Sequence, residues 1–186
     1  MRIEVHYFGG FQASWDDMLN WAVSVKYQVP RLDVNAYPYP EKTGYEKAEA
    51  VAGFKDLNKV IADIDTSSAN RIYIVGHSSG CAIANAADKG LKSHSKIVLA
   101  TLDGFHPDDD QLSRTNTQVW GAECAGQTSR GYPGFSKGRR HVFKATGCKT
   151  EWPLHFSLVN LNASDAKKTS IKTGYADCKA NLCWLI

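Results

Sequence analysis

Short apolar runs alternate with amphipathic segments along this 186-residue chain. The apolar runs are rich in β-branched and aromatic residues, which predicts buried strands. The segments between them carry apolar positions at helical spacing, as at Val51, Phe54 and Leu57, and predict helices. Strands are predicted at 2–8, 32–36, 71–75, 96–102, 117–123 and 140–146. Helices are predicted at about 15–26, 44–65, 80–90 and 175–184, with a short helix after Phe156 and a loop over the glycine-rich stretch 126–138.

Strand and helix alternate from one end of the chain to the other, with no internal repeat and no low-complexity linker. This order predicts an α/β fold, in which an open, mostly parallel sheet of about six strands carries helices on both faces. A chain of this length is expected to form one domain, 1–186, around one sheet. Ligands of such sheets bind beyond the carboxyl ends of the strands, so the chemistry is sought there.

Charge and hydropathy argue against several classes of function. The formal net charge is only +3, and the basic clusters at 137–140 and 167–168 are too short for a nucleic-acid surface, so no nucleic-acid partner is expected. No apolar run reaches the roughly 18 residues that a membrane span needs. The first residues have the pattern of a strand rather than of a signal peptide, which favours a cytoplasmic location.

Five cysteines leave the redox state open. They include no C-x-x-C pair, and no His/Asp cluster has ligand spacing, so a metal centre is not expected. Cys124 with Cys148, and Cys178 with Cys183, are candidate disulfides, which would indicate an exported protein instead of a cytoplasmic one. Free buried thiols are the alternative.

The third predicted strand runs directly into Gly76-His77-Ser78-Ser79-Gly80, a G-x-S-x-G pattern. Because a helix rich in small residues follows, the pattern predicts that Ser78 lies on a sharp turn between strand and helix. Such a turn leaves room only for glycine two positions to either side. It exposes the serine hydroxyl, and it directs the backbone N–H of Ser79 toward a developing oxyanion. A tight turn without catalytic function is the alternative.

The elbow at 76–80, the start His6-Tyr7-Phe8-Gly9-Gly10, the order of elements and a late histidine together resemble the α/β-hydrolase superfamily. The chain looks like a small, lidless serine esterase, lipase or thioesterase. The resemblance implies hydrolysis of esters, thioesters or amides by a serine nucleophile. The first loop resembles the H-G-x-G-G loop of small bacterial lipases, which would make the N–H of Phe8 the second oxyanion donor. Tyr7 replaces a glycine of that pattern, so Phe11 is kept as the alternative donor.

A serine hydroxyl needs a histidine to take its proton and a carboxylate to orient that histidine. The superfamily supplies them in the order serine, acid, histidine. His155 follows the last predicted strand and occupies the place of the superfamily's general base. Asp103 follows the strand at 96–102 and resembles the acid of thioesterase domains of polyketide and peptide synthetases. Glu123, at the end of the next strand, is the alternative acid.

Aromatic residues at the presumed active end of the sheet predict an apolar pocket lined by Phe11, Phe105 and Trp152. We therefore expect a serine hydrolase that cleaves a small or carrier-bound acyl ester or thioester through an acyl-enzyme, without a cofactor. An acyltransferase using the same triad is equally compatible with these residues. A non-catalytic ligand-binding protein of the same fold is the rival from another class. The sequence does not specify the oligomeric state.

Overall fold

The computed structural model describes residues 1–105, 107–114, 116–124, 127–128, 139–145 and His155. Its strands are β1 (Ile3–Phe8), β2 (Leu32–Tyr37), β3 (Arg71–His77), β4 (Ile97–Leu102), β5 (Thr117–Cys124), β6 (Gln127–Thr128) and β7 (Arg139–Ala145). Its helices are α1 (Trp15–Gln28), α2 (Lys47–Gly53), α3 (Leu57–Thr66), α4 (Gly80–Lys89) and α5 (Asp109–Leu112).

The strands form one sheet in which neighbours are joined in the order β2-β1-β3-β4-β5-β7. Every pair in that series is parallel, and only the two-residue β6 runs antiparallel, against the end of β5. The predicted α/β fold with an open, mostly parallel sheet is therefore confirmed. Because β1, β3 and β4 are adjacent and parallel, the loops that follow them meet at one edge of the sheet.

Apolar side chains cover both faces of the sheet, as expected for buried parallel strands. On one face α1 buries Met18, Trp21 and Val25 against β1 and its neighbours. Tyr7 of β1 stacks on Trp21 there, with ring centroids 3.9 Å apart. On the other face Ile72 and its neighbours pack with α2, α3 and α4. Each large apolar side chain buried in this way contributes about 1.5–3 kcal/mol.

A capping box formed by Ser14 and Asp17 begins α1. The backbone N–H of Asp17 donates to Ser14 Oγ over 3.2 Å, and the N–H of Ser14 donates to Asp17 Oδ2 over 2.8 Å. This reciprocal pair satisfies helix N–H groups that have no partner inside the helix. It places the first turn of α1 next to the loop that follows β1.

The single helix predicted at 44–65 is wrong, because the segment forms α2 and α3 with a break at 54–56. The break brings Phe54 into the core, where its ring contacts Phe8 edge to face at 5.5 Å and Tyr37 at 5.8 Å. A continuous helix has the same apolar spacing, so the pattern could not reveal the break. The short elements α5 and β6 were also not predicted, and β6 lies inside the predicted loop at 126–138.

Several sequence predictions lie outside the described residues. These are the helix after Phe156, the helix at 175–184, the rest of the 126–138 loop and the two candidate disulfides. Cys81 is described, and it is a buried free thiol. Within the part of the chain that the structure describes, no helix is both long and apolar enough to cross a membrane.

Candidate active site

Ser78 lies on a strained turn between β3 and α4. Its φ of 51° falls in the left-handed region, which residues with a side chain rarely adopt. A Cβ at Gly76 would lie 2.5 Å from Cys81 Cα, and a Cβ at Gly80 would lie 2.5 Å from the carbonyl oxygen of Phe8. Because those neighbours are backbone atoms that cannot move aside, the turn requires glycine at these two positions. Ser78 therefore lies on a sharp turn between a strand and a helix, as the sequence pattern predicts.

A second strained turn, at Asp103, packs against the first. Asp103 follows β4, is fully buried and has a φ of 48°. The backbone N–H of Ser78 donates to Leu102 O over 2.9 Å, and that of Asp103 donates to Trp120 O over 2.7 Å. A Cβ at Gly104 would lie 2.7 Å from Cys81 Cβ, so the two turns touch across β3 and β4. The chain thus holds the Asp103 carboxylate rigidly near the serine turn.

His155 is brought to this edge of the sheet and is 1% exposed. Its Nδ1 forms a hydrogen bond with Asp103 Oδ2, a contact between two side chains that are each almost completely buried. A carboxylate oxygen accepts, so the hydrogen lies on Nδ1 and Nε2 is the proton-accepting nitrogen of the neutral ring. This is the tautomer that a general base needs.

His77, the residue before the serine, also contacts His155. Its Nε2 lies 3.0 Å from the backbone oxygen of His155, and the two ring centroids are 4.5 Å apart. The ring of His77 is 4% exposed. Burial first, and then the neighbouring His155 ring, hold the pKa of His77 well below its usual range. The sequence predicted no role for this residue, and no local pattern signals a contact between residues 78 positions apart in the chain.

The loop after β1 passes over the serine turn. A Cβ at Gly10 would lie 2.9 Å from Ser78 Cβ, so the backbone of this loop is in contact with Ser78. The N–H of Gly9 is bonded to Tyr37 O over 3.0 Å. Phe8 ends β1 in register with Gly76 and buries its ring in the core, whereas Phe11 follows Gly10. The two proposed second oxyanion donors, Phe8 and Phe11, therefore flank the loop that touches Ser78.

Ser79 is the N-cap residue of α4, with a helical backbone conformation and a buried side chain. The first N–H groups of a helix have no acceptor inside the helix, and they carry the positive end of its dipole. This placement fits the predicted role of the Ser79 N–H as an oxyanion donor. The buried thiol of Cys81 lies behind the turn and donates to Gly76 O over 3.0 Å. Its pKa is raised by burial, so the thiol is not a competing nucleophile.

The structure describes two of the three residues predicted to bind substrate. Phe11 is 42% exposed, and its ring meets Tyr39 at 5.6 Å and Tyr45 at 6.0 Å, both edge to face. Phe105 is half-buried against the core layer below α4. Trp152 lies outside the described residues. Tyr45 is exposed and extends the aromatic surface at Phe11, whereas Tyr39 is buried beneath it.

Of the two candidate acids, Asp103 is the one whose side chain lies within the described part of the structure. Asp103 contacts His155, whereas for Glu123 the structure describes only the backbone, in β5 opposite Thr128 and Lys144. Among the described residues, no group of three or more His, Cys, Asp or Glu side chains is arranged to hold a metal ion. The site as described is therefore built from protein groups: a strained serine, a buried histidine–carboxylate pair and backbone N–H groups.

No protein-family model matches the chain, and no curated protein matches it. Solved structures do. A protein of the α/β-hydrolase superfamily from Xanthomonas campestris aligns over 98% of each chain with 10% identity and a TM-score of 0.56. An acetyl xylan esterase covers 99% of this chain and 96% of its own at 14% identity and a TM-score of 0.45. An extracellular α/β-hydrolase from a Paenibacillus species matches 59% of this chain at 15% identity and a TM-score of 0.40.

The fold assignment rests on the first of these matches, which spans both proteins from end to end. The chain has the α/β-hydrolase fold, and the resemblance seen in the sequence is confirmed at that level. It spans about half the length, 46%, of the Paenibacillus hydrolase. At such low identity the likeness is one of fold, so activity has to be argued from the site.

Proposed function

We propose that this protein is a serine hydrolase that cleaves an ester or a thioester through an acyl-enzyme. Ser78 is the nucleophile, His155 the general base and Asp103 the residue that orients His155. The observation that carries the proposal is the buried hydrogen bond from His155 Nδ1 to Asp103 Oδ2, at the edge of the sheet where Ser78 lies on its strained turn. A histidine held in this tautomer, at the edge of the sheet where a half-buried serine lies, supports activation of that serine's hydroxyl.

In the first half of the reaction, His155 Nε2 takes the proton of Ser78 Oγ while Oγ bonds to the carbonyl carbon of the substrate. The N–H of Ser79, with a second N–H at Phe8 or Phe11, stabilises the negative oxygen that forms. The bond to the leaving oxygen or sulfur then breaks, and the leaving group takes the proton from His155. Water repeats these steps on the acyl-enzyme, releasing the acid and restoring Ser78.

Phe11, Phe105 and Trp152 are proposed to contact the acyl group. The exposed ring of Phe11, beside the exposed Tyr45, supports a binding surface that is aromatic and accessible. A small or carrier-bound acyl group suits such a surface. If an alcohol or amine replaced water in the second half of the reaction, the same residues would catalyse acyl transfer.

The test is hydrolysis of a series of short p-nitrophenyl esters and of acyl thioesters by the wild type, Ser78→Ala, Asp103→Asn and Glu123→Gln. We expect activity to be lost in Ser78→Ala and Asp103→Asn and kept in Glu123→Gln, and the ester-to-thioester ratio identifies the substrate class. A fluorophosphonate probe should label the wild type and not Ser78→Ala. Equal labelling, or none, would show that the site is not a serine hydrolase site and favour a ligand-binding protein.

A further inference from the structure

We propose that His77 is a positioning residue that fixes the backbone of His155, so that the His155 imidazole is held in place for proton transfer from Ser78. The inference rests on the proposed function and adds a residue to it. His77 lies beside the nucleophile in sequence, yet its side chain acts on the general base rather than on Ser78. It joins β3 to a residue 78 positions further along the chain.

The contact is a directional hydrogen bond in a buried place. His77 Nε2 and the carbonyl oxygen of His155 are 3.0 Å apart, and each residue is less than 5% exposed. A carbonyl oxygen only accepts, so Nε2 of His77 carries the hydrogen and donates it. A buried hydrogen bond of this kind is costly to lose, because a buried polar group that loses a donor is not compensated by bulk water.

His155 is therefore fixed at two points. Its side chain is bonded to Asp103 through Nδ1, and its main chain is bonded to His77 through the carbonyl oxygen. The bond to Asp103 alone would let the ring pivot about Nδ1 and would leave the backbone position open. Anchoring the backbone as well fixes the place of Nε2, and a misplacement of about 1 Å at such an atom can lower a rate about 100-fold.

The His77 ring also lies between the base and the loop after β1. A Cβ at Gly10 would lie 3.0 Å from His77 Nδ1, and Gly10 is the residue whose backbone contacts Ser78. The His77 side chain thus contacts both His155, which provides the base, and the loop after β1, which provides an oxyanion donor. It sets the distance between them. A neutral ring suits this place, since a positive charge 4.5 Å from the His155 ring would oppose the imidazolium that forms there during catalysis.

The test compares side chains that keep or lose the donor. His77→Phe fills the space without an N–H, His77→Gln carries an amide N–H at about the position of Nε2, and His77→Asn is too short to reach. We expect kcat to fall about 10- to 100-fold in His77→Phe and His77→Asn with KM changed less than about threefold. In His77→Gln, kcat should return to within about fivefold of the wild type. His94→Phe is the matched control, because His94 Nε2 makes a similar 2.8 Å bond to Asp88 O away from the site.

The outcomes separate this inference from the proposed function. If the wild type hydrolyses no substrate and Ser78 takes up no fluorophosphonate, the proposed function fails. If the wild type is active and His77→Phe keeps full kcat, or if Gln and Asn lose kcat equally, the positioning role is overturned. The pH profile of kcat/KM adds a readout that stability alone does not move: the apparent pKa of the base should shift in His77→Phe and His77→Asn and be unchanged in His94→Phe. If His77→Phe fails to fold, the comparison of kcat between His77→Gln and His77→Asn tests the positioning role.

Discussion

Two buried histidine–carboxylate pairs lie among the residues that the structure describes, and they differ in which of their atoms are hydrogen-bonded. His155 is bonded to Asp103 at the carboxyl edge of the sheet. His6, within β1, is bonded to Glu4 over 2.7 Å, and Ser67 donates to the same carboxylate over 2.6 Å. The second cluster therefore also contains a serine, a histidine and an acid, and both the serine and the histidine are hydrogen-bonded to the acid.

The difference lies in which atoms meet. In the β1 cluster the serine is bonded to the acid instead of the histidine, and both ring nitrogens of His6 are engaged, Nε2 by Glu4 and Nδ1 by the hydroxyl of Tyr37 at 2.8 Å. At the carboxyl edge of the sheet, Asp103 accepts a hydrogen bond from Nδ1 of His155. Ser78 lies at the same edge, on a turn with a φ of 51°. The presence of a serine, a histidine and an acid does not by itself activate the serine. The backbone must also place them so that the acid bonds one ring nitrogen of the histidine and leaves the other for the serine.

The largest expected effect separates the two serines. Ser78→Ala removes the nucleophile and should lower kcat by about 10⁴- to 10⁶-fold with little change in thermal stability. Ser67→Ala removes the hydrogen bond to Glu4 and the one that Ser67 Oγ accepts from the N–H of Ala69 over 3.1 Å. It should leave kcat within about twofold while costing about 1–2 kcal/mol of stability. Steady-state kinetics and thermal unfolding of the two variants measure this. Comparable loss of activity in both would mean that the β1 cluster takes part in catalysis.

The two carboxylates should separate in the same way. Asp103→Asn keeps the shape, and asparagine tolerates the left-handed φ of 48°, so the fold should survive. The amide cannot hold the Nδ1–H tautomer of His155, and kcat should fall by about 10⁴-fold. Glu4→Gln should cost about 1–2 kcal/mol of unfolding free energy and leave kcat nearly unchanged. If Asp103→Asn were fully active, Glu123 would be favoured as the acid that orients His155.

These expectations also show what the sequence can reveal. The turn at Ser78 has a local signature, since a strand, two glycines and a helix start follow one another, and Asp103 likewise follows a strand directly. The contact of Asp103 with His155 agrees with the order of the superfamily, although the catalytic roles remain predictions. The bond between His77 and the His155 backbone, and the break that moves Phe54 into the core, depend on segments far apart in the chain. No local pattern of polar and apolar residues encodes such contacts.

Lowering the pH should destabilise the fold through its buried histidines. Burial, opposed in part by Glu4, lowers the pKa of His6, and that of His77 is lowered further. Between the unfolded value of about 6.5 and the folded values, the unfolded chain binds more protons than the folded one, so stability falls as the pH falls through that window. Denaturant unfolding from pH 8 to pH 5 should show this loss. The loss of stability between pH 8 and pH 5 should be smaller in His6→Gln. An unchanged pH dependence in that variant would show that His6 does not contribute to the loss.

The smallest effect is expected at Tyr37, at the edge of the β1 cluster. Tyr37→Phe keeps the ring that stacks on Phe8 at 4.9 Å and removes only the hydroxyl that contacts His6 Nδ1. Leaving that nitrogen unpaired should cost about 1 kcal/mol, seen as a lower denaturant midpoint with an unchanged slope. Activity should stay within about twofold, because the hydroxyl belongs to the cluster that does not contain the nucleophile. Tyr27→Phe is the control, since Tyr27 is 87% exposed and should show neither change. A large fall in kcat in Tyr37→Phe would show that the two histidine sites are coupled through β1. The His6 cluster would then contribute to catalysis as well, although less directly than the His155 site.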